Sequence, residues 1–267
     1  MGTHARHVRR ARVPNLQFPV STLNVSFLLA PFKLMKKIVV MTGAGVSAES
    51  GIRTFRDSNG LWEDHEVMDV ASPEGWARDR EMVLRFYNAR RAQLKEVSPN
   101  AAHKAIRDLE EHFEVRVITQ NVDDLHEQAG SSRVLHLHGE LKKVRSTFDE
   151  TLVYDWTEDL NVGDLCDDGH QLRPHIVWFG EAVPMLSEAI HQTKQADIVI
   201  IVGTSLQVYP AASLFSYAAA DVPVYYIDPH PAVSLETEAR SKFESIADTA
   251  TVGVPNLAKR LVAELES

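Results

Sequence analysis

The sequence predicts an α/β fold: a doubly wound parallel sheet with a small second lobe formed by two insertions. Three observations predict it. Four short, apolar, β-branched runs, "KIVVMTGAG", "VRVITQNVD", "ADIVIIVGTS" and "VPVYYIDP", each lead from their apolar residues into Gly, Asn, Asp, Thr or Ser. Buried parallel strands read this way where they deliver loops to a ligand crevice. Between them lie helical patterns such as "PNAAHKAIRDLEEHF", with Ala102, Ile106, Leu109 and Phe113 on one face. The first run also opens into a glycine-rich turn in which Gly43, Gly45 and Ala48 hold the G-x-G-x-x-G/A spacing. That spacing lets a backbone approach a pyrophosphate.

Taken in order, residues 1–34 form a leader with Arg6, Arg9, Arg10, Arg12 and Lys33 and no acidic residue. Such leaders resemble transit peptides. The preferred reading is a start at Met35, opening "MKKIVV", with the leader a disordered extension or an upstream start-site choice. The Rossmann-like core is expected over 35–56, 96–140 and 181–267. The small lobe is expected from 57–95 and 141–180. The first insertion is polar and then helical, "SPEGWARDREMVLRFYNARRAQL", with a cap-like Ser72-Pro73 start. The second reads as a hairpin, "KKVRSTF" and "TLVYDW", then an acidic loop, then a returning strand "RPHIVWFG".

The 267 residues suffice for one sizeable core. A net charge of -9 argues against non-specific nucleic-acid binding, which needs a basic surface. No apolar run reaches membrane-spanning length. The single cysteine, Cys166, excludes an internal disulfide and an all-cysteine metal site. A reducing cytoplasm fits that usage.

A dehydrogenase of this fold should offer an acid at the end of a second strand about 20 residues past the glycines. No apolar strand precedes the acids of "GLWEDHEVMD", so hydride transfer is disfavoured. Instead the loop runs on through Phe55, Arg56 and Trp62, placed to fold over a cofactor. "TQNVDDLH" sets Gln120, Asn121 and Asp123 at a strand tip, able to bond an amide or sugar hydroxyls. "LHLHGEL" then presents His136 and His138 on one side of an extended segment, a setting for a general base.

"GAGVSAESGIRTFRD", "TQNVDDLH", "HLHGEL", "VWFGE" and "GTSLQVYPAA" occur in this order, and the chain from Met35 onward resembles the sirtuin family. It is most similar to the bacterial and mitochondrial class of NAD-dependent lysine deacylases that also remove succinyl groups. The resemblance implies that NAD is consumed. The acyl-lysine oxygen attacks the ribose carbon bearing nicotinamide, which departs. His138 acts as general base on a ribose hydroxyl, and free lysine and O-acyl-ADP-ribose result. Asn121, placed with His138 among the catalytic residues, and Asp123 match the pocket for the carboxamide and reacting ribose. Gly43, Ala44, Gly45, Phe55 and Arg56 match the loop around the pyrophosphate, and Gly203, Thr204 and Ser205 a further phosphate and ribose contact. Ala48, Trp62, Gln120, Val122 and Ala250 complete the expected cofactor set. Tyr226 stands where many relatives have Asn near the adenosine ribose, with Asp228 taking over hydroxyl binding. Val177, Trp178 and Phe179 lie where family members grip a substrate peptide by strand addition.

Tyr87 and Arg90 sit three apart on a predicted helix and match the Y-x-x-R pair of desuccinylating sirtuins. A guanidinium and a phenol can both donate to a distal carboxylate, so succinyl and malonyl are favoured over acetyl. Most sirtuins bind a structural zinc through four cysteines. Here Ser146 replaces the first and only Cys166 remains, so no zinc is expected and Val153, Tyr154 and Trp156 are expected to hold the hairpin. The expected partners are acyl-lysine proteins or peptides, with neither nucleic acid nor membrane; oligomeric state is not readable. Two other readings keep the same loops: an ADP-ribosyltransferase or NAD glycohydrolase, and a non-catalytic NAD or acyl-lysine sensor.

Overall fold

The structure is a computed structural model and describes residues 35–52, 61–62, 65–232 and 240–266. The leader, Phe55, Arg56 and the Trp62 side chain lie outside that description. Strand β1 (Lys37–Thr42) runs into the one-turn helix α1 (Gly45–Ala48). A short ribbon of β2 (Leu61–Trp62) and β3 (His65–Glu66) precedes α2 (Val67–Val70). The helical stretch that follows is two helices, α3 (Pro73–Arg78) and α4 (Arg80–Gln93). Ser72 caps the first by accepting from Gly75 N, and Asp79 ends it and caps the second by accepting from Met82 N.

Helix α5 (Ala101–Asp108) carries a capping box on Asn100 and leads to β4 (Glu114–Thr119), α6 (Leu125–Ala129) and β5 (Val134–His136). The second insertion folds as β6 (Gly139–Ser146), β7 (Val153–Asp155) and β8 (Leu172–Ile176). Then come α7 (Leu186–Lys194), β9 (Ile198–Val202), a 3-10 helix (Ala211–Tyr217), β10 (Val224–Ile227), β11 (Phe243–Ile246) and α8 (Ala250–Glu266). Among the described residues no helix is long and apolar enough to cross a membrane.

The main sheet is six-stranded and parallel, in the order β11-β10-β9-β1-β4-β5. The four predicted runs are its centre; β5 and β11 add the edges. Period-two alternation splits each central strand between two cores. Ile38, Val40, Ile200 and Val202 face α5 and α8, with Ala102, Ile106, Leu109 and Phe113 packed there. Val39, Met41, Val199 and Ile201 face the opposite layer with Ala189, Leu214 and Tyr226. From β1 the chain winds outward through β4 and β5, then returns to β9 on β1's other side. The carboxyl ends of β1 and β9 are therefore a topological switch point, where open α/β sheets bind ligands.

A third core joins α4 to the smaller antiparallel sheet, of order β7-β6-β8: Val83, Leu84 and Tyr87 pack with Val144, Leu172, Ile176 and Trp178. Leu152, Tyr154 and Trp156 lean on it, but Val153 is exposed. Val153 thus does not hold the hairpin as the sequence suggested, because strand alternation turns it to solvent. Ser146 is buried, and its Oγ lies 3.4 Å from the Cys166 Sγ–H while accepting from Phe148 N and Asp149 N. The position thus closes a turn. Among the described residues no group of three or more His, Cys, Asp or Glu side chains is gathered to hold a metal.

Candidate active site

The switch point is built from backbone. Gly43 N donates to Val202 O and Gly45 N to Gly203 O, tying the loops after β1 and β9 together. A Cβ on Gly45 would fall 2.6 Å from Gly203 Cα and 2.7 Å from Gly203 O. Gly203 itself has a φ of +61, and a Cβ there would meet Val46 N at 2.3 Å. Only glycine fits either place. Gly45→Ala must push two backbones apart, a cost of about 1–3 kcal/mol. We expect it to lower the urea midpoint of unfolding clearly, measured by urea titration beside the wild type.

At the tip of β4, Asn121 and Asp123 are buried and linked through Ser47 on α1. Asn121 Nδ2 donates to Ser47 Oγ at 3.1 Å, and Ser47 Oγ donates to Asp123 Oδ2 at 3.1 Å. Asp123 Oδ1 accepts from Leu125 N. With its amide nitrogen given to Ser47, Asn121 has its Oδ1 on the other side of the amide. Burial pushes the Asp123 carboxyl above its ordinary range, against the bonds from Leu125 and Ser47.

Beneath them lies a wholly buried polar layer. His103 accepts from Asn100 N at Nδ1, so its Nε2 carries the hydrogen and points at Ser47 Oγ, 3.5 Å away. His126 Nε2 meets Thr42 Oγ1 at 3.0 Å, and Thr42 donates to Thr119 Oγ1. Thr119 Oγ1 in turn accepts from Asn121 N. The two imidazoles stack edge to face, centroids 4.8 Å apart. Burial pushes His103 down to about 4, and His126 well below its usual value, the latter also through His103 and His136. Both are neutral in the fold and protonate near pH 6.5 once unfolded. Between about pH 6.5 and 4 the unfolded chain binds more protons, so stability is full above that window and is lost as pH falls through it. His103 alone contributes roughly 3 kcal/mol of this loss. The urea midpoint is expected to fall clearly between pH 7.5 and 5, and less so in His103→Gln.

His136 and His138 anchor on consecutive carbonyls. His136 Nδ1 donates to Asn121 O at 2.9 Å and His138 Nδ1 to Gln120 O at 3.0 Å. A carbonyl only accepts, so both rings hold their hydrogen at Nδ1. They then part company. Burial opposes a charge on His136, but the Glu127 carboxylate 2.8 Å from Nε2 and the Asn121 carbonyl outweigh it and raise its pKa. His138 is lowered by burial, which exceeds the effect of the Gln120 carbonyl. Its Nε2 is an unprotonated base at neutral pH. Gly139, at φ +83, lets the chain turn into β6 directly after this base; a Cβ there would strike His175 O.

The remaining expected residues fall in three places. Gln120 Nε2 reaches Thr204 Oγ1 at 3.3 Å, so the β4 tip touches the β9 loop, where Ser205 also lies. Ala44 caps α1, Ala48 ends it, and Ala250 is buried at the start of α8. Val122 O accepts from Leu141 N, at the junction with the small lobe. Tyr226 departs from expectation: it is fully buried, and its hydroxyl donates to Thr204 O and accepts from Ala232 N. It supports the β9 loop from inside the core, because β10 alternation turns it inward with Val224. Asp228 is buried and accepts from His230 N.

The 177–179 segment also differs from expectation. Val177 N donates to His138 O, Trp178 N to Glu181 Oε2 and Phe179 N to Ala71 O. These three N–H groups are spent within the chain and do not serve an added strand. Trp178 is buried and its indole donates to the Tyr87 hydroxyl at 3.0 Å. One residue past the bond to His138 O, the chain thus touches the Tyr87–Arg90 helix. Burial pushes the Tyr87 phenol up. Arg90 is buried and lines a cavity of about 430 Å³ with His65, Met82, Phe86 and Gln93.

Ser47, His103, His126 and Trp178's bond to Tyr87 carry no role in the sequence reading. Ser47 stood inside a quoted motif, and His103 broke an apolar helix face; those were the available signals.

Comparison with known proteins identifies the family. The family model described as "Sir2 family" matches residues 43–210. An "NAD-dependent protein deacylase" of Helicobacter pylori (strain ATCC 700392 / 26695) is 65% identical over 195 residues, 73% of this chain and 85% of that protein. A Sir2 homologue solved with NAD superposes with a TM-score of 0.76 at 37% identity, covering 86% of this chain and 91% of the other. A Sir2 protein bound to acetylated peptide gives 0.68 at 29% identity, over 86% and 93% of the two chains. A switch point closed by facing glycines, a buried Asn–Ser–Asp link and a carbonyl-anchored histidine are the setting of these matches, and by the matches the chain belongs to the Sir2, or sirtuin, family.

Proposed function

We propose that the protein is an NAD-dependent protein-lysine deacylase that prefers succinyl and malonyl to acetyl groups. The observation that carries the reading is His138, neutral, fixed at Nδ1 and basic at Nε2, beside the Asn121–Ser47–Asp123 link at the switch point. Bound NAD supplies the ribose that takes the acyl group as nicotinamide leaves, giving O-acyl-ADP-ribose. The residues present suit such a group: Gly43, Ala44, Gly45, Gly203, Thr204 and Ser205 bring the loops after β1 and β9 together with small side chains, in a close approach that a Cβ on Gly45 would force apart. Asn121, its amide oriented by Ser47, accepts at Oδ1 from a carboxamide. Asp123 holds Ser47 and so sets that orientation. His138 takes a proton at Nε2 from a ribose hydroxyl, and Nδ1–H on Gln120 O stabilises the resulting imidazolium. Ala48, Val122 and Ala250 belong to the cofactor surroundings by the same reading, with Phe55, Arg56 and Trp62.

Relatives named NAD-dependent protein deacylases and Sir2 structures with NAD and acetylated peptide support this activity on acyl-lysine proteins. Val177 and Phe179 contact the peptide by side chain and carbonyl, their N–H groups being spent. The acyl preference rests on Arg90 and Tyr87, two donors near one another on α4 that suit a distal carboxylate. A cytoplasmic location accords with the free, buried thiol of Cys166.

Mass spectrometry of matched acetyl-, succinyl- and malonyl-lysine peptides, with and without NAD, tests the proposal. NAD-dependent loss of succinyl faster than acetyl is expected. Nicotinamide accumulating with every acyl group retained overturns it in favour of ADP-ribosyl transfer or NAD hydrolysis.

A further inference from the structure

Trp178 sits in an unusual electrostatic frame. The Arg173 guanidinium lies over its ring, 3.3 Å from the centroid, and Trp76 packs at 5.8 Å. Arg173 is held there by Glu181, through bonds of 2.6 and 3.1 Å, and by Ile176 O at 3.0 Å. Glu181 also accepts from Arg145 and from the Trp178 N–H. Salt bridges on a surface do little, but Arg173, Arg145 and Trp178 are all buried, so the indole cannot rotate without breaking several charged contacts. Its Nε1–H is aimed at the Tyr87 oxygen.

An indole nitrogen only donates. Whenever this bond is made, the Tyr87 oxygen accepts, and its own proton is turned away from Trp178. The cation over the indole polarises Nε1–H, which in turn strengthens the phenol as a donor. From this geometry we infer that Trp178, braced by Arg173 and Glu181, is a specificity-positioning residue: it obliges the Tyr87 hydroxyl to donate, which favours an acyl chain ending in a carboxylate over one ending in a methyl group. The inference rests on the acyl preference proposed above and adds the residues that orient the Tyr87 hydroxyl. Trp178 touches no substrate in this role; it acts through Tyr87.

The test is steady-state kinetics with matched succinyl- and acetyl-lysine peptides at saturating NAD, on the wild type, Trp178→Phe, Tyr87→Phe and the double variant. The succinyl-to-acetyl ratio of kcat/KM is independent of the active fraction, so partial misfolding does not distort it. Trp178→Phe keeps an apolar ring and removes the donor. We expect the ratio to fall about tenfold, the share of a charged hydrogen bond that orientation controls, chiefly through a higher succinyl KM. The double variant should be no worse than Tyr87→Phe alone. A ratio unchanged within about twofold, or losses that add independently, overturns the role of Trp178. A wild type that shows no succinyl preference overturns the acyl assignment instead. If Trp178→Phe does not fold, the indole N–H resonances of the four tryptophans decide the matter in protein that retains Trp178. Tyr87→Phe should shift one of them, and a succinyl peptide should move that same signal in the wild type more than an acetyl peptide does. A signal indifferent to both overturns the inference.

Discussion

Replacing His138 with alanine is expected to lower deacylation by about 10²–10⁴-fold, the usual weight of a positioned general base. The geometry explains why nothing nearby substitutes. His136, the only other histidine on that segment, has Nε2 occupied by Glu127 and a raised pKa, so it is a poor base at neutral pH. His103 and His126 lie in the buried layer below, with their Nε2 atoms on Ser47 and Thr42. The pH profile carries the same signature. A base whose pKa is lowered by burial stays unprotonated further into acid, so kcat/KM should be flat through neutrality. Its acid limb should fall below the ordinary histidine value of about 6.5. An alanine variant that keeps a tenth of the wild-type rate, or an acid limb centred above 7, would remove His138 from the role of base.

Arg90→Met is expected to lower the succinyl-to-acetyl ratio of kcat/KM by about ten- to a hundredfold. A hydrogen bond to a charged group is worth roughly 1.5–3 kcal/mol, and each 1.4 kcal/mol is about a decade. Methionine keeps much of the stem that packs at the cavity wall and removes the guanidinium. An acetyl group has no charge to lose, so the change concentrates on the dicarboxylic substrates. Matched-peptide kinetics check it, with circular dichroism confirming that α4 is intact. Equal losses on both acyl groups would mean that Arg90 supports the lobe and does not read the substrate.

Legibility in the sequence differs element by element. β1, β4, β9 and β10 were legible because central parallel strands are buried on both faces, which forces continuous β-branched runs. β5 and β11 were not, because edge strands are half-exposed and short and carry little of that pattern. The break at Asp79 was hidden because the helical periodicity runs across it, while a single capping side chain ends one helix and starts the next. That the glycine loop, the β4 tip and the His136–His138 segment each follow a strand was legible, because the residues that mark each turn lie within a few positions of one another.

Tyr226 and Ser47 show where such reading stops. Tyr226 lies two residues before Asp228, yet strand alternation turns it into the same core as Val224 while Ile227 enters the opposite one, and the motif alone does not say which side is which. Ser47 joins Asn121 and Asp123 from more than seventy positions away, and Trp178 meets Tyr87 from 91 away. By itself the sequence determined the fold class, the glycine-rich turn after β1 and the family resemblance, because these follow from local spacing and residue type. The tertiary structure alone decided which nitrogen of His138 is basic, which amide atom of Asn121 is presented and which way the Tyr87 proton points. Those are properties of hydrogen-bond partners brought together by packing, and no local pattern in the chain encodes them.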